Sequence, residues 1–148
     1  MVTHILIATD GSNLADKAVD QGLDLAAKTG ARVTAITVTE TWSVLDMTER
    51  SRAGVENPID EYRQIAAHHA GDILARVVEK AKAMNLLCDI VHRPDSYPAE
   101  AIVQEADRRN CDLIVMASHG RRGIDRLLVG SQTLRVLALT TRPVLVYR

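Results

Sequence analysis

Phenylalanine is absent from this chain, and aromatic residues are scarce, with one Trp and three Tyr in 148 residues. The core must therefore be aliphatic, and a base-stacking platform of the kind that binds single-stranded nucleic acid is not expected. An excess of either charge is missing too. Eighteen Lys and Arg against nineteen Asp and Glu leave a net charge of −1, which argues against non-specific binding to nucleic acid or to an anionic membrane. No apolar run reaches membrane-spanning length, and no basic leader precedes an apolar stretch, so neither a membrane span nor export is expected and the cytoplasm is the expected compartment. Cysteine is limited to Cys88 and Cys111, which form no CxxC pair and each head an apolar run. They read as small buried residues of a reduced protein.

What is present is the make-up of a globular domain, 47% hydrophobic and 25% charged. The length suits one domain over residues 1–148. No internal repeat, low-complexity segment or linker interrupts it.

His4 to Thr9, HILIAT, is a continuous apolar run of the kind found in strands covered on both faces. Asp10 to Asn13 form a turn with N-cap candidates. A helix is predicted from about Ser12 to Thr29, with Leu14, Ala18, Gly22 and Leu25 on its packed stripe and Gly30 as C-cap. Gly22 is costly inside a helix, which points to close packing on the sheet. Ala31 to Thr39 is β-branched and reads as a second strand. Glu40 to Asn57 has no clear period and is long for a connection. A short helix over Met47 to Arg52 is the one regular element it suggests.

Pro58 opens a long helical pattern to about Asn85, roughly 40 Å at the usual rise. His68 and His69 are adjacent and point about 100° apart, poor geometry for one metal ion. They read as one exposed histidine and one at the packed edge. Leu86 to His92 is a third strand, stopped before Arg93-Pro94. A helix from Ser96-Tyr97-Pro98 to Arg109-Asn110, a strand from Cys111 to Ala117, a helix from Ser131 to about Thr140 and a strand from Pro143 to Tyr147 complete the chain. The alternation predicts an α/β fold: a single open five-stranded parallel sheet, Rossmann-like, with helices on both faces and strand order 3-2-1-4-5.

The most informative stretch is Val115 to Ser131, VMASHGRRGIDRLLVGS. It leaves an apolar strand, crosses Gly120 and Gly123, and reaches Gly130-Ser131 at a helix start. Glycines let backbone approach a ligand, and a helix N-terminus offers unpaired N–H groups to a phosphate. Arg121, Arg122 and Arg126 add positive potential. In open α/β sheets the ligand crevice lies beyond the carboxyl ends of the strands, where Thr9-Asp10-Gly11-Ser12, Val38-Thr39 and this loop would meet. The loop matches neither Walker A nor GxGxxG. From the residues alone, two readings stand: a nucleotide cradle, or glycines that only turn the chain and start a helix. His119 has no nucleophile or base partner in the sequence and reads as a loop or packing residue.

The motifs ILIATDGS, PAEAI, DLIVMASHGRRG, LLVGS and RPVLVYR, spread over nearly the whole chain, resemble the universal stress protein family. Its ATP-binding branch carries Gly, two residues, Gly, nine residues, Gly, then Ser or Thr. Gly120, Gly130 and Ser131 match; the first position is Ala117. If that position required a left-handed backbone, Ala would cost about 1 kcal/mol or more. If it required only close approach, one methyl would shift the ligand slightly. The resemblance implies that Asp10 meets the ribose or a phosphate-bound metal, with Thr9 beside it in the binding site, that the Val38 backbone meets the adenine, and that Ala117 and Gly120 line ribose and phosphates. It also implies that Gly130, Ser131 and Gln132 receive phosphates, with Arg121 beside them. The implied ligand is ATP or AMP, with Mg²⁺ bridging phosphate oxygens, and the implied assembly is a homodimer through Val144 to Tyr147. No catalytic residue is assigned, and at most a weak ATPase is expected.

Overall fold

The computed structural model describes residues 1–120 and 129–148. The elements are β1 (His4–Ala8), α1 (Asn13–Thr29), β2 (Arg32–Val38), α2 (Val44–Arg52), α3 (Pro58–Ala83), β3 (Cys88–Arg93), α4 (Pro98–Arg108), β4 (Leu113–Ala117), α5 (Ser131–Leu139) and β5 (Val144–Tyr147). The five strands form one all-parallel sheet in the order β3-β2-β1-β4-β5. That is the expected architecture.

Alternation along the strands divides the core. Ile5 and Ile7 face one layer with Val19, Leu23 and Ala26 of α1 and Leu74, Val77 and Ala81 of α3. Leu6 and Ala8 face the other, with Ala99, Ile102 and Ala106 of α4 and Val136 of α5. The central strands β1 and β4 are buried along their whole length, as a strand covered on both faces must be. With no Phe to fill space, close approach supplies the packing. A β-carbon on Gly22 of α1 would lie 2.6 Å from Ile7 Cδ1.

Several expectations shift. The packed stripe of α1 runs through Ala15, Ala18, Val19, Gly22, Leu23 and Ala26, while Leu14 and Leu25 are half-buried at its margins. The small residues take the centre because the helix lies so near the sheet. The segment after β2 holds a helix longer than expected, α2, capped by Ser43, whose hydroxyl accepts from the Asp46 amide. Strand β3 ends one residue late: the Arg93 carbonyl still accepts from the Thr39 amide at 3.0 Å, and the break falls at Pro94, which has no N–H to donate. Its start is also late, because the Leu86 amide is engaged by the Ala81 carbonyl at the end of α3. His68 and His69 are both exposed, neither at a packed edge, because α3 acquires a buried face only from Ala70 onward. Both cysteines are free, and burial pushes each thiol up to about 11, which keeps them protonated at neutral pH.

Candidate functional site

Strand order reverses between β1 and β4, so the connections leaving these two neighbours run to opposite sides and open a crevice beyond their carboxyl ends. The segment after β1 is built by short local hydrogen bonds. Thr9, buried, accepts from the Gly11 amide through its hydroxyl at 3.2 Å and donates its own amide to Ile36 in β2. Asp10 Oδ1 accepts from the Ser12 amide at 2.9 Å, and Ser12 Oγ in turn accepts from Ala15. Of the N-cap candidates between Asp10 and Asn13, Ser12 is the N-cap of α1, and Asp10, two residues earlier, fixes the loop instead. Gly11 has φ +76, and a side chain there would also meet Ile73 Cγ1 at 2.8 Å.

The segment after β4 comes against this loop. A β-carbon on Gly120 would lie 2.7 Å from Asp10 Oδ2, so the two segments touch backbone to carboxylate. Gly130 makes the matching approach on the other side. Its amide donates to the Ser118 carbonyl at 2.7 Å, and a β-carbon there would stand 2.9 Å from that oxygen. Thr133 Oγ1 donates to the Ala117 and Ser118 carbonyls, each at 3.1 Å. The start of α5 is thus fastened to the end of β4 from two directions. Gly130 is the N-cap of α5 and provides no side-chain cap, so the first-turn N–H groups of an exposed Ser131 and Gln132 face outward with the positive end of the helix dipole.

Ala117 ends β4 with its side chain in a small cluster with Ala15 and Ala18 of α1. It is not among the residues with positive φ, which are Asn85, Asp95 and Asn110 apart from glycines. Alanine at this position carries no backbone strain, and its methyl belongs to the core. Val38, half-buried, ends β2 in register with Arg93. Arg121, Gly123 and the arginines at 122 and 126 lie outside the described residues. The structure therefore brings Thr9, Asp10, Ala117, Gly120, Gly130, Ser131 and Gln132 to the carboxyl end of the central strands, with Val38 at the end of the next strand.

Two features of the site were not singled out by sequence, and a third residue, His119, has a neighbour the sequence reading did not give it. Ser118 supplies the carbonyl that anchors Gly130 and Thr133. Thr133 is the hydroxyl that reads the turn, and its signal was position alone, a Thr in the first turn of a predicted helix. His119 is held through Nδ1 by Ser118 Oγ at 2.8 Å, while its Nε2 is covered and, among the described residues, has no hydrogen-bond partner. A covered imidazole nitrogen without a partner costs free energy until a ligand or water meets it. Among the described residues no three His, Cys, Asp or Glu side chains converge as a metal cage, and no helix is long and apolar enough to cross a membrane.

A family model described as the universal stress protein family matches residues 1–148. The chain belongs to the universal stress protein family. The universal stress protein YxiE of Bacillus subtilis is 30% identical over 152 residues, with all of both chains covered. The solved structure of MJ0577 of Methanocaldococcus jannaschii superposes with a TM-score of 0.82 at 24% identity, covering 99% of this chain and 96% of that one. A universal stress protein solved in complex with cAMP is 26% identical, with a TM-score of 0.66 over 99% of this chain and 97% of its own.

Proposed function

We propose that this universal stress protein binds an adenine nucleotide, ATP or AMP, in the crevice between the β1 and β4 segments and acts as a cytoplasmic regulatory homodimer. The observation that carries the reading is the contact of Gly120 with the Asp10 carboxylate beside an α5 N-terminus that lacks a side-chain cap. A polyanion placed there would meet the N–H groups of Ser131 and Gln132 and the Ser131 hydroxyl, each a charge-assisted contact contributing about 1.5–3 kcal/mol. Asp10 and Thr9 would take the ribose, the Val38 backbone the adenine edge, and the Ala117 and Gly120 backbone the sugar and the first phosphate. Arg121 follows directly and would add positive potential. The relative solved with cAMP supports an adenine nucleotide as the ligand class.

The donors fit Mg²⁺ only as a companion of the nucleotide. Phosphate oxygens would supply most of its coordination and Asp10 a carboxylate, the usual pattern for this hard cation. No residue is assigned to catalysis, so regulation by occupancy is favoured over turnover. The dimer would form through β5, whose Val144 to Tyr147 run forms an edge of the sheet and whose antiparallel pairing across a two-fold axis would close it. The test is calorimetric titration of nucleotide-free protein with ATP-Mg²⁺, AMP and ADP, with Gly130→Val as control. Micromolar binding lost in the control supports the site; flat titrations for all three nucleotides reject it.

A further inference from the structure

Helix α2 does not lie on the sheet. Its principal packing partner is the first half of α3, itself a segment with no buried face before Ala70. Met47 is the one buried residue of α2, and beside it the two helices leave a depression of about 490 Å³ lined by Trp42, Val44, Met47, Thr48, Ser51, Arg52 and Ile59. That volume is of the order that small-molecule sites occupy.

The lining is graded along α2. Trp42, Val44 and Met47 make one end apolar, and Ile59 of α3 adds apolar lining from across the depression. Thr48, Ser51 and Arg52 make the other end hydroxyl-bearing and cationic. From Val44 to Arg52 the helix rises about 12 Å. Arg50 pairs with Glu61, whereas Arg52, among the described residues, forms no ion pair. The apolar end is open as well: Val44 is 72% exposed. An open, partly apolar depression beside a guanidinium that forms no ion pair among the described residues is complementary to one shape of ligand, an aliphatic chain carrying a carboxylate. Neither a peptide helix, which needs a longer stripe of pockets, nor a polar metabolite, which would leave Trp42 and Val44 wet, matches both ends.

We propose that the cleft between α2 and α3 binds a free medium-chain aliphatic carboxylate, with the chain against Trp42, Val44, Met47 and Ile59 and the carboxylate on Arg52. The site shares no residue with the proposed nucleotide crevice, so either can fail without the other.

Trp42 is the single tryptophan of the chain and lines the cleft, which makes its emission a reporter of this site alone. The experiment titrates the full-length protein with decanoate, kept below its aggregation concentration, and follows Trp42 fluorescence. The expected result is a saturable blue shift, weaker for decanol and weakest for decyltrimethylammonium. Arg52→Glu should weaken decanoate by roughly tenfold or more, the loss of one charge-assisted contact with a repulsion added. Val44→Glu, at an exposed position that leaves folding untouched by circular dichroism, should abolish the response. The proposal is overturned by an unmoved Trp42 spectrum, by equal affinity for decyltrimethylammonium, or by an Arg52→Glu variant that binds as the parent does. A response confined to anionic vesicles would also overturn it, in favour of a membrane surface.

Discussion

The Gln132 side chain of α5 accepts a hydrogen bond from the Ala99 amide of α4, 3.2 Å away. Tyr97, the N-cap of α4, provides no side-chain cap, so a residue 33 positions beyond Ala99 supplies one. Arg135 of α5 reinforces the link by pairing with Glu100. Replacing Gln132 by Ala leaves a first-turn donor of α4 without this partner and should cost about 0.5–2 kcal/mol, the range for a lost cap. Chemical denaturation measures it. Faster exchange of the Ala99 amide in hydrogen-exchange NMR would locate the effect, and an unchanged rate would assign it elsewhere.

Gly120→Ala and Gly130→Ala test close approach without testing conformation, since neither glycine has a positive φ. The added methyl would press on the Asp10 carboxylate in the first and on the Ser118 carbonyl in the second. A carboxylate can rotate and a backbone carbonyl cannot. Nucleotide affinity should therefore fall by about tenfold, or about 1.4 kcal/mol, in Gly120→Ala and further in Gly130→Ala. Calorimetry in parallel with thermal melting separates this from loss of fold, and the reverse order of effects would contradict the argument.

Gly22→Val should destabilise the whole domain. Even a β-carbon at this position would overlap Ile7 Cδ1 and approach Val115 Cγ1 at 3.4 Å, both in central strands. Overpacking of this kind costs about 1–3 kcal/mol. The companion change Ile7→Val, which removes the clashing methyl, should recover part of the loss in Gly22→Val. Denaturant midpoints for the two single variants and the double give the coupling directly.

Glu105 gives the protein an acid-sensitive lock. Its side chain is 1% exposed and bonds Arg93 of β3 together with Arg108 and Arg109. Hydrogen bonds from Arg108, then from Arg109, outweigh burial and bring the carboxyl down to about 2 from 4.5. A carboxyl depressed in the folded state stabilises fully above its unfolded value and loses that contribution as pH falls through the folded one. The part of the stability owed to Glu105 should thus decline between about pH 4.5 and about pH 2. Glu105→Ala removes the acceptor that three guanidiniums share, of which Arg109 keeps Asp89, and should cost about 1–3 kcal/mol at neutral pH and flatten that acid limb. Denaturant titrations at several pH values would show it.

Val146→Lys addresses assembly. Val146 lies half-buried in β5, in register with Met116. A charge on this edge should shift the proposed dimer to monomer in sedimentation velocity without changing the fold, as charged residues do on protected edges. A parent protein that is already monomeric would remove the dimer from the proposed function.

Much of the fold was legible because its signals are local. The apolar runs of the central strands, the Ser12 cap and Gly30 end of α1, and Pro58 opening α3 each act over a few residues. Periodicity misplaced the α1 stripe toward its leucines, since the distance between helix and sheet is set by Gly22 against Ile7, a contact between segments. It could not show that α3 outruns the sheet, which leaves both His68 and His69 in solvent. Within the candidate site the glycine spacing was visible and the reason for it was not. Gly120 answers to Asp10 and Gly130 to Ser118, and only folding brings those pairs together. Glu105, read simply as part of a helix, gathers arginines from two elements for the same reason.

Strand β1 is central, with Ile5 in register with Val33 on one side and Leu113 on the other. During synthesis the first partner is at hand early, and the second only when β4 has been made. A growing chain that has completed β3 therefore carries Ile5, Leu6 and Ile7 on a strand with an open side, the state in which unpaired edges find one another. Chaperone demand for this protein should be concentrated in that interval, and a chain stopped at Asn110 should aggregate where the full chain stays dispersed.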